Sequence, residues 1–497
     1  MNDWVLFLLV AVPLGGGVGL MFFPSSRPEL TRWSASIVAG LSLLLALYVF
    51  LGYDWQDRET PFQYVRQFPW LPVLGITYAL GVDGIAVPMV LLTGIVFFAG
   101  VLVSWNIASR PKDFFVLYCL LVAGVFGVFV SQDLFFLFFF YELAVVPMYL
   151  LIGVWGSSTD FRTFVRTKEY GAMKLVLYLV AGSALVWVAL LAVYVASGKG
   201  SFLIPVLGQA DFGLGFQRFF FPLFMVGFGI LAGLWPFHTW SPDGHVAAPT
   251  GVSMVHAGVL MKLGAFGIIR AMEVLPDGAQ TWMPVLIGLG TVNVLYGAIS
   301  AMAQRDLKYV VGYSSVSHMG YVLMGLGTLN ALGMGGAVLQ MFSHGIMTAL
   351  FFALVGFIYD RAHIRDIGVL EGLSKRMGVT GAFFVVAGLT SLGLPGLSGF
   401  VAEVLVFLGT FQAFPVLGAL AVVGAAITAV YILRLLAKVF HGPLPERWAH
   451  LREATPLELG AAGLLVSMLV LVGVYPAPFM RIINSGIEPF LKLVAGA

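Results

Sequence analysis

Eight ionisable side chains stand in stretches that are otherwise apolar. Glu142 lies in FFFYELAVVP, Lys174 in YGAMKLVLYL, and His256 and Lys262 in SMVHAGVLMKLGAF; His318 lies in SSVSHMGYVLMG, His344 in QMFSHGIMTALFF and Glu403 in SGFVAEVLVFLG. His238 follows the Trp235-Pro236-Phe237 break. Insertion scales put a charged side chain at the middle of a membrane helix at about 2.5–3.5 kcal/mol unfavourable, so such groups are rare, face a bundle interior and mark ion or proton paths. Carboxylate, ammonium and imidazole in one lateral row suit proton transfer. Desolvation shifts each group's proton affinity, and a change of charge on one group shifts the next. Imidazole fits the intermediate steps because its ordinary pKa is near neutrality, and water between the groups completes such a wire.

Each residue also has a structural reading. Glu142 and Glu403 as paired structural acids would be two expensive carboxylates, which favours a functional role. Lys174 lies beside Arg166, Lys168 and Glu169 and equally suits a side chain snorkelling to the membrane surface. A single histidine in a helix bundle is more often a hydrogen-bonded core residue, so His256, His318 and His344 gain weight from company. His256 and Lys262 are six apart, about 120° around a regular helix, and need not touch. Gly15 to Leu20, GGGVGL, resembles a nucleotide loop by composition alone and reads as helix packing. Asp83 and Asp133 open helices and read as caps.

The elements that position these groups follow from composition. With 60% hydrophobic residues, 10% charged and a mean hydropathy of +0.97, the chain has too few polar residues to cover a water-soluble globule. It reads as an all-α polytopic membrane protein. Cys119 is the single cysteine, which excludes intrachain disulfides, CxxC metal sites and cysteine-ligated iron–sulfur clusters. The first residues, MNDWVLFLLV, carry Asp3 and no Lys or Arg, so the first helix is expected to be retained rather than cleaved as a signal.

Apolar runs of roughly 18 residues or more begin near Trp4, Ser34, Val87, Phe114, Leu134, Ala172, Phe219, Thr250, Met283, Tyr309, Ala331, Thr380, Phe414 and Leu457, fourteen in all. Lys and Arg collect in cytoplasmic loops. With this count the loops after odd-numbered helices hold seventeen basic residues against seven on the other side, with Lys174 and Lys262 inside the membrane. Both termini are therefore expected on the non-cytoplasmic side.

Helices 4–8 and 9–13 form two blocks of five. Five is odd, so the second block enters from the opposite side, as in an inverted repeat. The fourth helix of each block is interrupted, helix 7 at Trp235-Pro236 and helix 12 at Leu392-Gly393-Leu394-Pro395-Gly396, and the third carries Lys174 or His344. The division expected is residues 1–110 for helices 1–3, 111–271 and 272–441 for the two repeats, and 442–497 for helix 14 and a tail. Near helix 7, Pro236, Pro242 and Pro249 with Gly244 and Gly251 bring His238, Asp243 and His245 into the neighbourhood of Lys262. A broken helix beside an intramembrane charge is a usual transport-site architecture.

The stretches GLWPFHTWSPDGHVAAPTGVSMVHAGVLMKLGAFG, AMAQRDLKYVVGYSSVSHMGYVLMG, FSHGIMTALFFALVGFIYDRAHIRDI and LTSLGLPGLSGFVAEVLVFLG resemble the antiporter-like, proton-translocating membrane subunits of respiratory complex I. The resemblance is to the chain M, or chain 4, type, with kinship to Mrp cation/proton antiporters and membrane-bound hydrogenases. It covers roughly helices 3 to 13. It implies that Glu142 gates the channel, that Lys262 is the central relay lysine, that His318 and His344 connect, and that Glu403 hands the proton outward. It also implies no redox site in this chain, with flavin, iron–sulfur clusters and quinone in partner subunits. The partners implied are other antiporter-like and redox chains of one complex, together with lipid, in an energy-transducing membrane such as a bacterial plasma membrane.

Two residues depart from the pattern of that family. It usually carries a lysine before the helix-7 break, partnering the helix-5 glutamate; here the aligned residue is Leu231. Either Lys174 or His238 takes over the pairing with Glu142, or the first half-channel is altered and does not pump. His256 is closer to the chain-L and Mrp relatives. Two other functions stay open at this point: a secondary cation/proton antiporter, and a helical spacer with an inactive half-channel.

Overall fold

Proline and small polar caps set where the helices begin. In the computed structural model, which describes residues 4–57, 60–161 and 164–494, α1 (Val5–Met21) is followed by α2 (Pro28–Gly52), α3 (Ala86–Val103), α4 (Pro111–Val130), α5 (Leu134–Trp155) and α6 (Lys168–Ser197). Arg58 and Arg162, two of the charges in the loop partition, and Asp3 lie outside the described residues. A single turn, α7 (Ile204–Leu207), leads to α8 (Leu214–Ala232) and α9 (Trp240–Ala247), the two halves of the broken seventh span. The eighth span is α10 (Thr250–Val255), a π-helical turn at His256–Leu260, and α11 (Met261–Val274). Then come α12 (Pro276–Ala303), α13 (Leu307–Gly327), α14 (Ala331–Ala362), the broken pair α15 (Gly378–Ser391) and α16 (Ser398–Ala413), α17 (Pro415–Phe440) and α18 (Pro456–Val474).

Eleven of these are long and apolar enough to cross a membrane by themselves. The short α1, the serine- and histidine-bearing α13 and the broken α15–α16 bring the described spans to the expected fourteen. The largest offset from the expected starts is at the ninth span, which begins at Pro276 instead of Met283. Proline at the first helical position is preset for helical φ and lacks an N–H that would have no partner there. Asp133 and Asp306 each cap the helix they precede: Asp133 accepts from Phe135 and Phe136, and Asp306 from Lys308 and Tyr309.

Three elements go beyond the sequence reading. Between α2 and α3, β1 (Gln63–Leu71) pairs antiparallel with β2 (Ile76–Val82), with Phe68 opposite Tyr78. Its turn at Gly75 has φ +67°, and a Cβ there would meet the Gly200 carbonyl oxygen at 1.8 Å. A second, shorter hairpin joins β3 (Thr159–Phe161) to β4 (Phe164–Arg166). The expected tail forms α19 (Ala477–Val494), which buries Phe479, Ile482, Ile483, Ile487 and Phe490 against the bundle.

The centre of the bundle is α10–α11, α13 and α14, whose residues are almost all buried. A helix hidden on all sides can carry polar groups only where other protein groups receive them. Close packing there depends on glycine: at Gly264 a Cβ would lie 2.4 Å from the Phe228 carbonyl oxygen and 2.5 Å from Ala232 N. Gly264→Ala should therefore force α8 and α11 apart at a cost of about 1–3 kcal/mol. The check is a lower thermal unfolding midpoint of the purified complex. Gly15→Ala, which meets nothing within 4 Å, should leave the midpoint unchanged.

Candidate proton-transfer site

Asp243, in the first turn of α9, gathers two cations and a tyrosine hydroxyl from three other elements. Lys174 Nζ on α6 donates to its Oδ2 at 2.8 Å, and Arg166 Nη1 on β4 to its Oδ1 at 2.5 Å. Tyr309 OH on α13 donates to Oδ1 at 3.0 Å, and Arg166 Nη1 also reaches the Tyr309 oxygen at 3.2 Å. Burial opposes the Arg166 charge, but the hydrogen bond to Tyr309 and the Asp243 carboxylate outweigh it and raise its pKa. At the other end of α9, Lys308 Nζ donates to the Ala248 carbonyl at 2.7 Å. A cation at a helix C-terminus and a carboxylate near the N-terminus both suit the helix dipole. The unwound chain before α9 is held by Asn293, which accepts from Trp235 N and donates to Gly233 O, both at 2.7 Å.

The cage excludes one anticipated pairing. Lys174 is bound to Asp243 and not to Glu142. Glu142 Oε1 is buried with no hydrogen-bond partner among the described residues, and Ser183 on α6 is the polar side chain beside it. His238 does not reach Glu142 either; both its ring nitrogens lack hydrogen bonds among the described residues, and its ring packs edge-on to Tyr296 at 4.9 Å. Leu231 is fully buried in the apolar core.

Two residues after Asp243 stands His245, whose ring centroid is 4.1 Å from that of His256. Ser241 Oγ is 2.9 Å from His245 Nε2, and Trp240 stacks on His256 with centroids 5.4 Å apart. Both imidazoles are fully buried. Neither His256 nitrogen nor His245 Nδ1 has a hydrogen-bond partner among the described residues.

Beyond the π turn lies the longest continuous stretch. Lys262 Nζ donates to the Ala257 carbonyl and lies 2.8 Å from His344 Nδ1. His344 and His318 have ring centroids 5.4 Å apart. His318 Nδ1 is 3.4 Å from Glu403 Oε1 and 3.2 Å from Gln340 Nε2, and its Nε2 is 3.0 Å from Ser391 Oγ. The break between α15 and α16 makes room for the acid: at Gly393, φ +73°, a Cβ would sit 2.7 Å from Glu403 Oε2.

Of the eight residues singled out, Lys262, His344, His318 and Glu403 form one line. His256 stands before it with His245, Lys174 belongs to the Asp243 cage, and Glu142 and His238 stand apart. The angle reasoned for His256 and Lys262 assumed a regular helix, and the π turn changes the phase between them; each nevertheless has its own partners. Arg270, counted among the loop cations, is instead fully buried, donating to Asp83 at 2.8 Å and Glu273 at 2.6 Å. Asp83 caps α3 as expected, accepting from Ala86 N at 2.8 Å. Asp243 and His245 are the groups the relay reading left out, although their position in the proline- and glycine-broken segment was the signal for them.

A fourteen-span bundle with a line of buried ammonium, imidazole and carboxylate defines a proton-conducting membrane protein. The NADH:quinone oxidoreductase/Mrp antiporter transmembrane family model matches residues 131–428. A relative from Thermosynechococcus vestitus, NAD(P)H-quinone oxidoreductase chain 4 2, is 38% identical across 95% of this chain and 89% of its own length. A chain of respiratory complex I from Thermus thermophilus superposes with a TM-score of 0.88 at 30% identity, covering 99% of both chains. A chain of the Mrp complex from Dietzia sp. shares the fold, with a TM-score of 0.85 over 100% of this chain and 98% of that one, at 19% identity. The chain belongs to the NADH:quinone oxidoreductase/Mrp antiporter family of membrane subunits.

Proposed function

We propose that protons cross this chain from the Asp243 cage through His245 and His256 to Lys262, and then by His344 and His318 to Glu403. The chain is a chain-4-type, proton-translocating membrane subunit of an NAD(P)H-quinone oxidoreductase of the complex I kind. The observation that carries the path is the hydrogen-bonding distance from Lys262 to His344 and the ion-pair distance of 3.4 Å from His318 to Glu403. Water fills the intervals. The unpartnered atoms on His245, His256, His344 and Gln340 mark where, since a buried polar atom without a partner costs about 1–3 kcal/mol.

Glu142 acts at the flank. It shares one face of α5 with Phe139, Val146 and Leu150, all exposed in the isolated chain. That apolar face is where a neighbouring membrane subunit packs, while the buried carboxylate Oε1 lies within the chain beside Ser183. Redox subunits with flavin, iron–sulfur clusters and quinone supply the driving reaction, and the basic-rich loops face the cytoplasm or its equivalent. The two transport units are residues 111–271 and 272–441. In support, the second helix of each begins with an Asp cap followed by Leu, Asp133-Leu134 and Asp306-Leu307.

Glu142→Gln tests the flank role of that carboxylate, as Lys262→Ala tests the path. In vesicles of the whole complex the protons moved per electron should fall while quinone reduction continues and assembly is intact. An unchanged ratio would leave Glu142 a structural residue.

A further inference from the structure

Arg305, Arg434 and Lys438 meet around a cavity that the proton path does not use. It has a volume of about 360 Å³ and lies between the end of α12, the start of α13, the last turns of α17 and the loop 366–369. Arg434 and Lys438 are one helical turn apart, so they project from the same face of α17. Arg305, Arg434 and Lys438 are exposed, and none has an ion-pair partner among the described residues. The one acid in the wall, Asp366, turns its Oδ1 to its own loop and accepts from Gly368 N at 2.7 Å. Three cations therefore face one carboxylate. Met302 and Leu435 give the wall an apolar side.

The height of the cavity indicates its occupant. With 26 residues, α17 is about 39 Å long at a rise of about 1.5 Å per residue, more than the roughly 30 Å of a hydrocarbon core. Its last two turns, with Arg434 and Lys438, reach the headgroup layer. Basic pockets between helix ends at that level attract anionic lipid headgroups. A zwitterionic lipid would bring its own ammonium against three cations, and free phosphate would leave the Met302 and Leu435 side unfilled.

We propose that this cavity holds the phosphate headgroup of an anionic phospholipid, with an acyl chain along Met302 and Leu435. The site depends on the chain spanning a membrane and not on the proton path.

The test uses the whole complex in phosphatidylcholine vesicles doped with photoactivatable phosphatidylglycerol. Irradiation should label peptides containing residues 301–310 or 431–438. Unlabelled phosphatidylglycerol should compete, and phosphatidylcholine or inorganic phosphate should not. Arg434→Gln and Lys438→Gln should each lower the labelling about fivefold. Absence of label at these peptides in the unmodified complex overturns the proposal, as does equal competition by phosphatidylcholine. Competition by inorganic phosphate alone would make it a free-phosphate site and overturn the lipid assignment.

Discussion

Lys262→Ala should lower proton translocation through this chain at least about tenfold while the complex still assembles. The ammonium is fully buried and touches both the Ala257 carbonyl and His344 Nδ1, so its loss removes the group that joins the histidine pair to the outward line. Assembly survives because a buried charge is itself costly and a methyl group in its place is not. The expected fall in protons moved through this chain is roughly tenfold or more, the change that about 1.4 kcal/mol on a barrier produces. Lys262→Arg separates charge from titration. A guanidinium keeps the positive charge but does not release a proton in a protein, so this variant should pump as poorly as the alanine one. Measuring acidification of energised vesicles against the rate of quinone reduction decides the matter. Normal pumping by the arginine variant would make Lys262 an electrostatic post and not a carrier.

The second large effect is expected at Asp243. Asp243→Asn leaves Lys174 and Arg166 facing a neutral amide in a site where the aspartate is 5% exposed. Removing one partner of a fully buried pair costs about 3–5 kcal/mol; Arg166 and Lys174 keep 30% and 18% of their side chains exposed, so part of their hydration returns and the cost here is smaller. The variant complex should show a clearly lower thermal unfolding midpoint and reduced pumping. Lys174→Met alone should cost less, since Arg166 and Tyr309 still hold the carboxylate. Adding Lys174→Met to Asp243→Asn should recover part of the loss, and the double-mutant cycle measures that coupling. Strict additivity of the two changes would show that the cage does not act as a unit.

The architecture was legible because apolar length, proline and charge placement each report on the bilayer directly. Fourteen spans and the interruptions at Trp235-Pro236 and Leu392–Gly396 follow from those signals. The hairpin at Gln63–Val82 was hidden because its aromatic and polar residues carry no membrane signal, and α19 because its apolar face is discontinuous in sequence. Within the site, the types of the buried residues were readable but their pairings were not. Lys174 lies on α6 within reach of both α5 and α9, and only packing decides that it turns to Asp243. Arg270, near the end of the eighth span, was counted with the loop cations from the helix count alone, yet one of its partners, Asp83, lies far away in sequence.

The π turn at His256–Leu260 separates the phases of the two halves of one span. A regular helix ties the azimuth of every side chain to its residue number at about 100° per step, so the direction of His256 would dictate that of Lys262. The wider turn loosens this constraint. In consequence α10 packs against α3 and α14 while α11 packs against α8, and the span works as a keyed coupling whose two shafts are set at different angles. A substitution that suits one half need not disturb the aim of the other.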